Sequence, residues 1–174
     1  MRRIGIVSDL HGTFDAPLYE FLSDVDEIWC AGDIGSGDLC WEISGFKPLR
    51  AVFGNMDGFD VRSEYGEYLS FRCEDRRVLM THIGFQGGRY VSRAAELIDR
   101  FRPDIFISGH SHILKVYTDS RTGILNINPG ACGFNGIHHV RTALRMVVDG
   151  SALRDMEVGE WSRKRAPFVT DAPK

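Results

Sequence analysis

An α/β fold, with a βαβ-like first half and a β-meander in the last third, is what this 174-residue sequence predicts. Three observations carry the prediction. Apolar runs of strand length alternate with helical patterns up to about residue 108. Beyond that point, apolar runs follow one another across short turns. The length suits one domain with a single sizeable core.

Taken in order, RRIGIVS (Arg2–Ser8) reads as a buried strand. Asp15–Leu22 reads as a helix capped by Asp15, with Pro17 tolerated in its first turn. EIWCA (Glu27–Ala31) and LRAVF (Leu49–Phe53) are the next strands, with a short helix over Leu39–Ser44 between them. A loop rich in Gly and acidic residues leads to a hairpin. Its strands are YLSFRC (Tyr68–Cys73) and RVLMT (Arg77–Thr81), turning near Glu74-Asp75. Gly88–Phe101 is the clearest helix, because Ala94, Leu97, Ile98 and Phe101 share one face and Pro103 closes it. DIFIS (Asp104–Ser108) follows as a strand. LKVYTD, GILNIN, VRTALRMVVD and ALRDMEV then read as strands, with turns at Arg121–Gly123 and Asp149–Ser151. Residues 1–158 are expected to form the single domain. The charged stretch Gly159–Lys174 is expected to be a surface tail, docked through Trp161 and Phe168.

Composition excludes several classes. With 43% hydrophobic and 26% charged residues and a net charge of −3, the chain has no electrostatic footprint for nucleic acid or an anionic membrane. No apolar run is long enough to span a bilayer. The apolar stretch before Asp9 is too short for a secretory signal. Cys30, Cys40, Cys73 and Cys132 are widely spaced without a CxxC, so they read as reduced thiols of a cytoplasmic protein.

The polar residues that end each early strand point to chemistry. The first strand runs into SDLHG, with Asp9 and His11, and the second into AGDIG, with Asp33. The third ends in FGNMDG, with Asn55 and Asp57. RVLMTHIG supplies His82, and DIFISGHSH supplies His110 and His112. Successive intervals from Asp9 through Asp33, Asn55 and His82 to His110 are 24, 22, 27 and 28 residues. Each is about one strand, one connection and another strand. The groups therefore belong at one sheet edge, the carboxyl edge where open α/β sheets bind ligands. Singly, Asp9 could cap a helix, Gly32-Asp33 could be a turn, and His82 could be a satisfied core residue. Their joint recurrence favours a metal site.

These motifs resemble the calcineurin-like metallophosphoesterases, whose pattern is D-x-H, G-D, G-N, a strand-end His and G-H-x-H. Here it stands as Asp9-Leu10-His11, Gly32-Asp33, Gly54-Asn55, His82 and Gly109-His110-Ser111-His112, in the right order from about residue 4 to 130. The short length and NPGA (Asn128–Ala131) are most similar to the small, single-domain phosphodiesterase branch. The resemblance implies a four-layer α/β/β/α sandwich. It also implies two metal ions, one held by Asp9, His11, Asp33 and His112. The other would take Asp33, Asn55, His82 and His110, with Asp33 bridging. Asn55, Asp33 and His82 are read as catalytic as well as ligating. Two departures stand out. Met56 replaces a His that often follows the Gly-Asn pair, and Ile83 separates His82 from Gly84.

The carboxylate, imidazole and amide donors suit divalent Mn, Fe, Zn, Ni or Co, with Mn placed first; Mg²⁺ is disfavoured by the several imidazoles. Two such ions outweigh two aspartates and a hydroxide, so an acidic protein can hold a phosphate ester. The expected reaction is phosphodiester hydrolysis by direct attack of a hydroxide bridging the metals, with no phospho-enzyme. Asp57 is expected to hydrogen-bond a ligand histidine from behind, or to be a turn residue. His138 and His139 could reach the rim as supporting or substrate-contacting groups. The expected partner is a small-molecule phosphoester, with no nucleic-acid polymer and no membrane, and a homo-oligomer stays open. The alternatives are a phosphomonoesterase, or a non-catalytic protein-binding scaffold like the retromer subunit of this fold.

Overall fold

The computed structural model describes residues 1–164, so the Phe168 dock lies outside the described residues. In chain order the elements begin with β1 (Arg2–Val7), α1 (Ala16–Phe21), β2 (Glu27–Cys30), α2 (Gly37–Phe46), β3 (Leu49–Ala51) and α3 (Phe59–Glu64). Then come β4 (Tyr68–Cys73), β5 (Arg76–Thr81), β6 (Phe85–Gln86), β7 (Arg89–Tyr90), α4 (Ser92–Phe101) and β8 (Ile105–Ile107). The last four strands are β9 (Leu114–Thr118), β10 (Leu125–Pro129), β11 (Val140–Asp149) and β12 (Ala152–Ser162).

Two five-stranded sheets form, ordered β12-β11-β1-β2-β3 and β4-β5-β8-β10-β9. The β1-β2-β3 and β5-β8 neighbours are parallel, joined by crossovers that carry α1, α2 and α4, and β10 runs parallel to β8 after the chain passes through β9. Strand alternation sends Ile4, Ile6 and Trp29 of one sheet against Val78, Met80, Ile105 and Ile107 of the other, giving an apolar inner core. The outer face of the first sheet packs Val7, Ile28 and Cys30 on Leu18, Leu39, Ile43 and Val61 of α1, α2 and α3. On the second, Leu79 and Phe106 pack on Ala94 and Leu97 of α4. Helix, sheet, sheet, helix is the four-layer sandwich the resemblance implies.

The late strands are present as two hairpins, but they divide between the sheets. The β9–β10 pair extends the second sheet, whereas β11–β12 edges the first and pairs antiparallel with β1. The expected boundary at Gly159 falls inside β12, where Gly159 pairs with Ala143 and Trp161 with Arg141. Trp161 does dock, edge-on against Phe21 at 5.6 Å. The helix expected from Gly88 starts at Ser92, because Arg89-Tyr90 pair with Phe85-Gln86 in a small hairpin. The acidic loop after Asp57 contains α3, whose single buried residue, Val61, left too little periodicity to find. All four cysteines are free and buried. Among the described residues no helix is long and apolar enough to cross a membrane.

Asp15 occupies the N-cap of α1 as expected, but its side chain makes no capping bond. Both carboxylate oxygens instead accept from Arg141, at 2.8 Å each, and the Arg141 side chain is only 2% exposed. Burial pushes the Asp15 carboxyl up, but the Arg141 hydrogen bonds and charge outweigh it and hold the group below its ordinary 3.8. Asp15→Asn is expected to destabilise the fold by about 2 kcal/mol at neutral pH, since it strands a buried guanidinium beside a partly exposed partner. A carboxylate held below its ordinary range stabilises above that range and loses the contribution as pH falls through its folded value. Urea unfolding should therefore show the gap to wild type closing below about pH 3.8. A constant gap down to pH 2 would contradict it.

Candidate metal centre

The loops after β1, β2, β3, β5 and β8 all open on one rim, and main-chain hydrogen bonds lock them to one another. Asp9, His11 and Gly12 donate N–H groups to Gly32, Asp33 and Ile34 carbonyls at 2.8–2.9 Å, continuing the β1–β2 ladder past the strands. Gly109 N–H donates to the His82 carbonyl at 2.9 Å. Cys132 and Gly133 donate to the Ser8 and Asp9 carbonyls at 2.9 Å, bolting a sixth loop to the first.

Within this frame Asp9, His11, Asp33, His110 and His112 all adopt left-handed φ angles of 46–66°. For residues with a Cβ this costs about 1–2 kcal/mol each. Strain of this kind persists where the surroundings over-determine it, and here it coincides with the predicted ligands.

Two groups of donor atoms result, each within 4.8 Å of one another: Asp9, His11 and His112, and Asp9, Asp33 and His82. In the first, His112 Nε2 lies 3.1 Å from Asp9 Oδ1 and 3.5 Å from His11 Nε2. Asp9 is fully buried, and although Oδ2 accepts from His110 N–H at 3.0 Å, Oδ1 has no hydrogen-bond partner. Its approach to His112 is close but misaligned for a hydrogen bond. A buried carboxylate oxygen left this way is costly unless a cation completes it.

In the second group the His82 tautomer follows from its neighbours. The Ala31 carbonyl can only accept, so His82 Nδ1–H donates to it at 2.7 Å and Nε2 faces the rim. That nitrogen lies 3.3 Å from Asp33 Oδ2 and 3.1 Å from Asn55 Oδ1, so three acceptor atoms converge. Asp33 Oδ2 is also 3.9 Å from His11 Nε2, which places it between the groups. Burial works to raise the Asp33 carboxyl, but the opposing His82 and the Met56 N–H hold it below the usual range. Burial lowers His82, and Asp33 and Asp9 more than reverse that. The donor set fits divalent cations, since carboxylate oxygens and imidazole nitrogens converge here and the buried Asp9 Oδ1 has no hydrogen-bond partner.

His110 stands at the exposed mouth with its ring 5.3 Å from that of His82, outside both tight groups. Asp57 does not touch a ligand histidine. Its Oδ1 accepts from Gly35 N–H and its Oδ2 from Gly54 N–H, at 2.8 and 2.7 Å, stapling the loops after β2 and β3. His138 Nδ1 faces His112 Nδ1 at 3.3 Å, while His139 is exposed. Burial, then His112 and Arg163, keep His138 below the usual histidine range. Ile83 does not displace His82, because the extra side chain turns outward and Gly84 packs on Ser108.

Three supporting residues escaped the sequence reading. Arg62 donates to the Asp57, Gly54 and Asn55 carbonyls at 2.7–3.2 Å and clamps the Gly54–Asp57 loop. Asn128, already visible in NPGA, donates through Nδ2 to Gly109 O and Ser111 Oγ, bracing the histidine loop. Arg163 donates to Phe134 and His138 carbonyls from beyond the expected domain end. Only Asn128 carried a signal, since an amide beside a Pro-Gly turn is a common loop brace.

The family model of the calcineurin-like phosphoesterase superfamily domain matches residues 1–151. A protein described as a probable metallophosphoesterase, from Methanothermobacter thermautotrophicus, is 28% identical over 142 residues, covering 74% of this chain and 76% of its own. The fold is shared with a novel archaeal phosphodiesterase at 24% identity and TM-score 0.70, covering 90% of this chain and 99% of that one. It is also shared with Vacuolar Protein Sorting 29 from Cryptosporidium parvum, at 17% identity and TM-score 0.72, covering 92% and 98%. With the family model spanning nearly all of the sandwich and its motifs gathered at one rim, this chain belongs to the calcineurin-like phosphoesterase superfamily.

Proposed function

We propose that the protein is a dinuclear metal-dependent phosphodiesterase acting on a small-molecule phosphoester. The observation that carries this is the buried, unpartnered Asp9 Oδ1, set against His112 and flanked by a second donor group around Asp33. Asp9, His11, Asp33 and His112 would hold one ion, and Asp33, Asn55, His82 and His110 the other, Mn²⁺ leading the candidates. Two divalent ions there supply an activated water at neutral pH and positive charge against the phosphate oxygens.

The chain's own residues do the positioning. Ala31 fixes the His82 ring, and Asp33 is held by Met56 N–H at 2.8 Å. The Asn55 amide, its oxygen turned to His82, has its NH₂ free to orient a phosphate oxygen. A side-chain nucleophile is disfavoured. Ser8 is fully buried, and burial pushes the Cys132 thiol up to about 12. Both observations support direct attack by water, without a phospho-enzyme.

Leaving-group protonation is the missing element. Met56 is exposed beside Asn55 and has no proton to donate, and both His138 nitrogens are engaged. General acids contribute about 10²–10⁴-fold, so aryl diesters, which leave unaided, should outpace alkyl diesters by a similar factor. Equal rates would contradict the missing acid.

The deciding experiment strips the protein with a chelator, restores Mn²⁺, Fe, Zn²⁺, Ni²⁺ or Co²⁺ in turn, and assays diesters and monoesters. Restored diester turnover is expected. Monoester preference would favour a phosphatase. Stoichiometric metal uptake without turnover on any substrate would favour the scaffold.

A further inference from the structure

His138 sits behind a ligand rather than beside the substrate. Its Nε2 is 3.1 Å from the Gly133 carbonyl, and its Nδ1 is 3.3 Å from His112 Nδ1, with the rings 5.1 Å apart and edge-on. The Gly133 carbonyl can only accept, so His138 Nε2 carries the hydrogen. The neutral imidazole then presents a lone pair at Nδ1, and the one N–H between the rings belongs to His112 Nδ1. In the neutral form that a metal requires, His112 Nε2 is then the bare nitrogen, facing Asp9 Oδ1 and His11 Nε2.

We propose that His138 is a positioning residue, which sets the His112 tautomer and ring angle through a carbonyl–imidazole–imidazole chain. This rests on the metal reading above. Ligand histidines are commonly oriented by a partner on their other nitrogen, and that partner is usually a carboxylate, a carbonyl or water. His82 uses a carbonyl directly; His112 reaches one through a second imidazole.

The surrounding loop is shaped for the contact. Gly136 has φ +122°, and a Cβ there would lie 2.2 Å from His112 Nδ1 and 2.9 Å from His138 Nδ1. Any larger residue would drive the two rings apart. Arg163 fixes the same loop by donating to the Phe134 and His138 carbonyls, at 2.9 and 3.1 Å. Gly133 N–H ties it to Asp9.

The test compares His138→Leu with His138→Gln, whose amide can both donate to Gly133 and accept from His112. Mn²⁺ affinity is read by titration calorimetry, and imidazole ¹⁵N shifts of the metal-free protein report which His112 nitrogen is protonated. Expected are protonation at Nδ1 in wild type, a mixture in the Leu variant, and Mn²⁺ affinity down about 10–100-fold. The Gln variant should recover to within about threefold. Thermal unfolding of both variants separates a local loss from misfolding. Equal weakening by Leu and Gln, unchanged affinity in both, or wild-type His112 protonated at Nε2 would overturn the proposal. A wild type that takes up no Mn²⁺ refutes the metal reading instead, and is told apart because the metal-free ¹⁵N signature would stand unchanged.

Discussion

Asp33→Asn is expected to leave a folded protein whose phosphoesterase turnover falls by about 10³-fold or more, the scale of losing a principal electrostatic group in a preorganised site. The reason lies in how the carboxylate is used. Oδ1 accepts from Met56 N–H at 2.8 Å, while Oδ2 faces His82 Nε2 and His11 Nε2 at 3.3 and 3.9 Å. An amide in this place must turn its oxygen to the Met56 N–H. Its NH₂ then faces the rim, presenting hydrogens where a cation needs a lone pair. One negative charge is lost between the two donor groups, so metal content should fall as well as rate. Elemental analysis beside a diester assay checks both. Turnover near wild type with full metal content would show that Asp33 is not shared, and the two-ion assignment would go with it.

Gly54→Ala should destabilise by about 3 kcal/mol and lower the unfolding temperature by about 6–12 °C. A Cβ at Gly54 would lie 2.0 Å from Asp33 Oδ1 and 2.4 Å from Asp33 N. Asp33 is 3% exposed and pinned by Met56, so neither side chain nor backbone can yield cheaply. Activity should drop with stability, because the displaced group is one of the proposed ligands. Gly45→Ala is the control. Gly45 lies inside α2 with nothing within 4 Å of its added Cβ, so that change should stabilise by about 0.5–1 kcal/mol. Calorimetric melting of both variants decides the matter. A Gly54→Ala protein melting at the wild-type temperature would mean the loops after β2 and β3 are not in register.

How much of this was readable without coordinates depends on the reach of the interaction involved. Strands buried on both faces, such as Ile105–Ile107, announce themselves as apolar runs, and the strand-end spacing placed Asp9, Asp33, Asn55, His82 and His110 on one edge. Short amphipathic pieces did not. α3 buries one residue, and Arg89-Tyr90 pair only with a two-residue strand, so local pattern could not separate either from a loop or a helix. Asp15 looked like a cap because its partner, Arg141, is 126 residues away. Asp57 was placed near the right loop, yet the groups it joins, Gly35 and Gly54, became neighbours only on folding.

The sequence by itself determined the alternating helices and strands of the first half, the late run of strands and the chemical kinds of donor at the rim. Hydrophobic period and residue type are local properties, written at each position. Only the tertiary structure decided the left-handed backbone at five of those donors, the carbonyl behind His82, the imidazole behind His112, and the Asp9 oxygen left without a hydrogen-bond partner. Those depend on which carbonyl, imidazole or N–H arrives from a distant segment. A residue's polar partners are fixed by three-dimensional neighbours that no window along the chain contains.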